Sequence, residues 1–150
     1  MLFRSGGGDD RTRSRLTGFA AAIKRVSGAS LTKMLLPAGT SFQGGRQALA
    51  QLLASEPNLH AVFCSNDALA VGALMECRRR GIEVPRDLAI AGFADLDIAA
   101  EVTPTLTSVH VGARRIGEEA ARMMLARLTG QAIAMPLLDL GFKIKARESA

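Results

Sequence analysis

The sequence predicts an α/β fold: a parallel sheet flanked by helices. Three observations carry that expectation. Short, almost wholly apolar segments recur along the chain, amphipathic helical patterns separate them, and Gly or Pro marks the joins. Strands without polar alternation are those a sheet covers on both faces, and their alternation with helices implies parallel pairing with right-handed crossovers. The 150 residues, 48% hydrophobic and 22% charged, suffice for one ordinary domain or a piece of a larger one.

The elements follow in order. Residues 1–5 (Met-Leu-Phe-Arg-Ser) match what a common sequencing adaptor encodes and are read as a non-native scar outside the fold. After the loop at Gly6-Gly7-Gly8, Asp10 or Thr12 can cap a helix whose Leu16, Phe19, Ala20 and Ile23 recur at helical spacing, with Gly28 as its stop. Lys33–Leu36 is a strand stopped by Pro37, and residues 41–55 a helix with Leu49, Leu52 and Leu53 on one face. Ala61–Cys64 is a second buried strand. Asp67 caps the next helix, which carries Ala70, Ala73, Leu74 and Cys77 and ends at Arg78-Arg79-Arg80-Gly81. Residues 88–91 form a third strand. Residues 93–105 show no apolar period, 106–109 are a short strand, 112–129 a long helix, and 138–144 a last strand.

Charge and cysteine usage narrow the function classes. The net charge of +5 is local: residues 1–33 carry seven basic and two acidic side chains, and the rest carry twelve of each. A duplex-binding face would be spread over the structure, so direct DNA contact by this stretch is not expected. The apolar runs are too short to cross a bilayer and no signal-peptide pattern opens the chain. Cys64 and Cys77 have no metal-ligand spacing and read as reduced and buried, which fits a cytoplasmic protein; neither a metal site nor a cofactor is expected.

No catalytic constellation assembles: His60 and His110 have no spacing to a Ser or Cys that suggests a triad, so the chain is not read as an enzyme. Gly6-Gly7-Gly8 lacks a phosphate-loop pattern, and Arg78-Arg79-Arg80 reads as a solvated helix end. Three places say more. Ser65-Asn66-Asp67 stands where a buried strand gives way to a helix, the carboxyl edge at which open parallel sheets bind small ligands. Asn66 can offer a donor and an acceptor to a polyol. Phe93-Ala94-Asp95 follows another strand end and could line the same crevice. Arg11, Arg13 and Arg15 sit in a loop and first helical turn, where the helix dipole disfavours cations.

These segments resemble the lactose-repressor (LacI/GalR) family. The resemblance is carried by Arg15-Leu16-Thr17-Gly18-Phe19, by residues 61–72, by residues 84–93, by Pro104-Thr105-Leu106-Thr107-Ser108-Val109 and by Arg147-Glu148-Ser149. Five ordered motifs span residues 6–150, and Cys64-Ser65-Asn66-Asp67 with Ala91-Gly92-Phe93 is most similar to the gluconate-operon repressor branch. The resemblance implies the second half of a two-lobe, periplasmic-binding-protein-like type I core. Residues 6–109 would be mainly the C-terminal lobe, 110–135 a crossover belonging to the N-terminal lobe, and 136–150 the return. The stripe Ile116, Ala120, Met123 and Met124 should then be poorly covered, while Val62 and Ile90 pack well.

By position, the resemblance assigns ligand binding to Arg15 and Asn66, with Phe42 standing in for the stacking aromatic expected near Thr40. The family has an acid directly after the aromatic; Ala94 removes that carboxylate, which puts in question a ligand contact by Asp95, the remaining candidate. Val71 and Val102 match dimer-interface positions. A pocket that keeps Arg15 and lacks the acid suits a sugar acid, because Arg grips a carboxylate through paired hydrogen bonds. The implied protein is a homodimeric regulator that binds a sugar or sugar-acid effector and reaches operator DNA through an N-terminal helix-turn-helix outside this sequence. The alternative is a periplasmic sugar-binding protein of a transporter, which shares the fold.

Overall fold

The computed structural model describes residues 2–5, 10–36, 41–133 and 135–150. The elements are β1 (Leu2–Ser5), α1 (Asp10–Ile23), β2 (Lys33–Leu36), α2 (Phe42–Ser55), β3 (Ala61–Cys64), α3 (Asp67–Arg80), β4 (Ala89–Ala94), α4 (Ile98–Glu101), β5 (Thr107–His110), α5 (Ala113–Leu128) and β6 (Lys143–Lys145). Among the described residues the strands form one sheet in the order β2-β1-β3-β4-β5-β6. The first five are parallel, and β6 pairs antiparallel with β5. This is the expected mostly parallel α/β architecture.

Burial alternates along the strands, so one face of the sheet carries the core and the other is only partly covered. Val62, Cys64 and Ile90 are buried, as are Leu88 and Leu106 beside the strand starts. They meet Leu49 and Leu52 of α2 and Leu69, Val71 and Leu74 of α3. Glycine allows the two helices to approach closely: a Cβ on Gly72 would strike the Phe42 carbonyl, and one on Gly45 the Leu69 carbonyl. Ser41 caps α2 by accepting from the Gly44 N–H at 3.0 Å. Gly81, left-handed at φ 70°, closes α3.

The structure corrects several boundaries. Residues 2–5 are not outside the fold: β1 lies inside the sheet, between β2 and β3. The last strand is Lys143–Lys145 and not residues 138–144, for Gly141 turns the chain at φ 67° just before it. The stretch 93–105 contains α4, too short to show a period. Gly6-Gly7-Gly8, Thr40 and the side chain of Arg11 lie outside the described residues.

The expected contrast in burial is present. Val62 and Ile90 are 2% and 0% exposed, whereas α5 buries none of its residues. Ile116 and Met124 of the stripe are exposed, as are Leu125 and Leu128 beside it; Met123 is half-buried. Both cysteines are free and buried, as expected. Burial pushes the Cys64 thiol well up from its ordinary value and the Cys77 thiol to about 11.

Arg78-Arg79-Arg80 is more than a solvated end. Glu76, with its side chain 2% exposed, accepts from Arg79 Nε and Nη2 at 3.0 and 2.6 Å and from Arg80 Nε at 2.6 Å. Arg46 of α2 stands 3.8 Å away. The arginine hydrogen bonds hold the Glu76 carboxyl down at about 2. Because the folded value lies below the ordinary one, this contribution to stability is complete above about pH 4.5 and is lost as pH falls toward 2. Urea unfolding measured between pH 5 and pH 2 should therefore show a falling midpoint, and Glu76→Gln should flatten that slope while lowering stability at neutral pH.

Candidate functional site

Because β1 to β5 run parallel, their carboxyl ends share one edge of the sheet, and the motif residues gather there. Arg15, in the first half of α1, donates from Nη1 to the Ser65 carbonyl at 2.9 Å and from Nη2 to Thr12 Oγ1 at 3.4 Å. Its guanidinium carbon lies 4.2 Å from the centroid of the Phe93 ring, a cation–π contact at the end of β4. The guanidinium is thereby fixed in orientation across the ends of β3 and β4. Phe19, one turn further along α1, stacks on Phe63 at 4.9 Å and anchors the helix to the sheet.

The cap expected of Asp67 is made by Asn66. Asn66, extended at φ −159°, is the N-cap of α3, and its side-chain oxygen accepts from the Leu69 N–H at 2.9 Å. Its amide nitrogen carries the remaining donors. Asp67 is completely buried: Oδ1 accepts from Ser108 Oγ at 2.6 Å and Oδ2 from the Leu96 N–H at 2.7 Å. A Cβ at Gly92 would collide with Asp67 Oδ1, so only glycine leaves room for this carboxylate.

Beyond Phe93 the backbone turns sharply. Ala94 and Asp95 have φ of 112° and 57°, conformations that cost a side-chain-bearing residue about 1–3 kcal/mol each. The surroundings hold them there. The Asp95 N–H donates to Ser108 Oγ at 3.1 Å, Asp95 Oδ1 accepts from Arg147 Nη2 at 2.7 Å, and Oδ2 faces His110 Nδ1 at 3.0 Å. Both Asp95 oxygens are thus engaged within the protein. The C-terminal segment delivers Arg147: buried Ser149 donates to the Ile90 carbonyl at 2.6 Å and accepts from the Thr107 N–H at 2.9 Å.

The structure therefore brings Arg15, Asn66 and Asp95 to one polar ledge. Phe42 begins α2 at the same edge, 44% exposed, but the ring beneath the arginine is Phe93. Val71 offers no interface surface, because its side chain is 1% exposed and part of the chain's own core. Val102 is half-buried against that core. His60 lines a cavity of about 530 Å3 with Glu56 and Phe19; a second, of about 540 Å3, opens between His110, Arg115 and Lys143. Among the described residues no His, Cys, Asp and Glu side chains cluster as a metal site would require, and no helix is long and apolar enough to cross a membrane.

Ser108, His110 and Arg147 escaped the sequence reading as site residues. Arg147 meets Asp95 across 52 positions, and no local spacing encodes such a contact.

A parallel sheet with its polar ledge at the carboxyl edge is the architecture of the periplasmic binding protein-like domain, whose family model matches residues 1–150. The chain belongs to that family. It is 39% identical over 142 residues to the HTH-type transcriptional regulator GntR of Pseudomonas aeruginosa, covering 94% of this chain and 41% of that protein. To the ribose operon repressor of Escherichia coli it is 34% identical, covering 92% and 42%. Among solved structures, the transcription regulator GntR from Chromobacterium violaceum superposes with a TM-score of 0.92 at 40% identity, covering 99% of this chain and 55% of that one. A complex of the transcriptional regulator CelR with cellobiose superposes at 0.86 and 28%, covering 99% and 46%. The chain thus spans about two fifths of the length of the relatives named by sequence and about half of these solved chains.

The cap makes a direct prediction. Asn66→Ala removes the acceptor for the Leu69 N–H and should cost about 1 kcal/mol of stability; Asn66→Asp should retain most of it. Thermal unfolding of the two variants separates these outcomes.

Proposed function

We propose that this chain is the effector-binding part of a LacI-type transcriptional regulator of carbohydrate genes, and that its effector is a sugar acid of the gluconate kind. The observation that carries the reading is Arg15, held over Phe93 and braced on Ser65 at the carboxyl edge of a parallel sheet. A fixed planar guanidinium suits a carboxylate, since two parallel N–H···O bonds set its orientation as well as its affinity. Asn66 contributes polar contact to the hydroxyls, and Phe42 an apolar surface at the same edge. Asp95 is the weakest of the four candidates, as both its oxygens have internal partners. The relatives' printed role in transcription supports regulation over catalysis, so we propose no enzymatic step.

In this reading residues 6–109 and 136–150 form most of one lobe, and residues 110–135 pack on a second lobe. The uncovered face of α5 supports that division. The effector binds one lobe arrangement better than another, and this difference in affinity is what reaches operator DNA through a separate helix-turn-helix. The protein acts in the cytoplasm as a homodimer. Of the interface positions expected from the resemblance, only Val102 has surface to contribute.

Calorimetric titration of the full-length protein with gluconate tests the reading. Arg15→Ala should cost about 2–4 kcal/mol of effector affinity through loss of a charge-assisted contact, with operator binding retained. An unchanged titration would remove Arg15 from the site. Ala94→Asp should weaken gluconate more than the neutral polyol glucitol, through like-charge repulsion in a poorly solvated crevice. Equal losses for both would place residue 94 away from the effector.

A further inference from the structure

The ledge that offers Arg15 to an anion also contains two carboxylates. Asp67 is sealed: it is completely buried, and Ser108 and the Leu96 N–H cover its oxygens. Asp95 is different. It stands at the end of β4, with its side chain 10% exposed, two residues beyond the ring that supports Arg15. A bare carboxylate there would lay negative potential across the approach to Arg15, and the low dielectric of a half-buried site would amplify it.

Arg147 meets that carboxylate. Its Nη2 lies 2.7 Å from Asp95 Oδ1, its Nη1 donates to the Leu106 carbonyl at 2.7 Å, and its backbone N–H donates to Thr107 Oγ1 at 2.8 Å. The guanidinium, with a side chain 21% exposed, is held by two of these contacts and its backbone by the third. Sequestered Ser149, two residues on, fixes the segment between β4 and β5. His110 faces the other Asp95 oxygen from β5.

We propose that Arg147 is a specificity-determining residue for the effector's charge: by cancelling Asp95, it keeps the ledge receptive to an anion at Arg15. The proposal rests on the sugar-acid reading above. Arg147 does not touch the effector; it acts through Asp95, and it explains how an acid can stand at a site that receives an acid.

The test is a set of three variants of the full-length protein, titrated calorimetrically with gluconate. Arg147→Gln should weaken gluconate about tenfold, as expected for one uncancelled charge at this range. Asp95→Asn alone should bind gluconate more tightly than the unaltered protein, since the same site then carries one negative charge fewer. The double variant, with neither charge of the pair, should return to about the affinity of the unaltered protein. A purely structural brace gives the opposite sign for Asp95→Asn, because it loosens the ledge, and weaker binding by that variant would overturn the proposal. Asp95→Asn is nearly isosteric, so its result stands even where Arg147→Gln fails to fold. Failure of the unaltered protein to bind gluconate would instead overturn the sugar-acid reading, and this proposal with it.

Discussion

The buried carboxylate of Asp67 organises the carboxyl edge of the sheet. It sits in the first turn of α3, where the helix dipole favours an anion, and reaches two elements distant in sequence. One oxygen takes the Ser108 hydroxyl from β5 and the other the backbone N–H of Leu96 from the turn after β4. A completely buried charge is tolerated only when its oxygens are satisfied, so removing either partner would leave a costly orphan. Three neighbours are thereby locked to one another. The bareness of Gly92, the position of Ser108 and the sharp turn at Ala94-Asp95 all follow from giving this carboxylate room and partners.

The second buried acid of α3 follows another logic. Glu76 lies near the last turn, where the dipole is unfavourable, and three arginines surround it. Two of them come from its own helix at i+3 and i+4, so their geometry is set locally and at little entropic cost. Arg46 extends the group to α2, the helix that Gly45 and Gly72 already bring close. The two carboxylates thus join α3 to different layers, Asp67 to the sheet edge and Glu76 to the helix beside it.

Much of the fold was legible because apolar strands and amphipathic helices leave a plain signature, although the strands prove to be buried on one face and only partly covered on the other. Lys33–Leu36, Ala61–Cys64 and the helices around Leu49 and Leu74 stand out as apolar runs or 3.6-residue periods. The failures have equally specific causes. Residues 2–5 were set aside on a coding argument, although Leu2 and Phe3 are as apolar as any strand here. Residues 138–144 alternate Leu138, Leu140 and Phe142, but the left-handed Gly141 interrupts any continuous strand. At the ledge, Asn66 was recognisable from residue type and position at a strand end, and Arg15 from a cation in an early helical turn together with the family resemblance. Arg147, Ser108 and the true capping residue were not, since what assigns them are contacts 41 and 52 residues apart and a choice between two adjacent Asx residues. Val71 was misplaced because a valine on a helix looks the same in sequence whether it faces the core or a partner.

The antiparallel pairing of β5 with β6 has a mechanical consequence. The chain leaves the sheet at His110 and re-enters it at Lys143, and these two residues are direct partners across the strands. Everything between them, including the whole of α5, is therefore moored at two points about one strand spacing apart, near 5 Å. A body on a single tether can spin and tilt about every axis. Two adjacent moorings suppress the spin and leave one easy motion, a swing about the line that joins them. That line passes beside the His110–Asp95 contact, so the attachment of this segment and the polar ledge share one corner of the sheet.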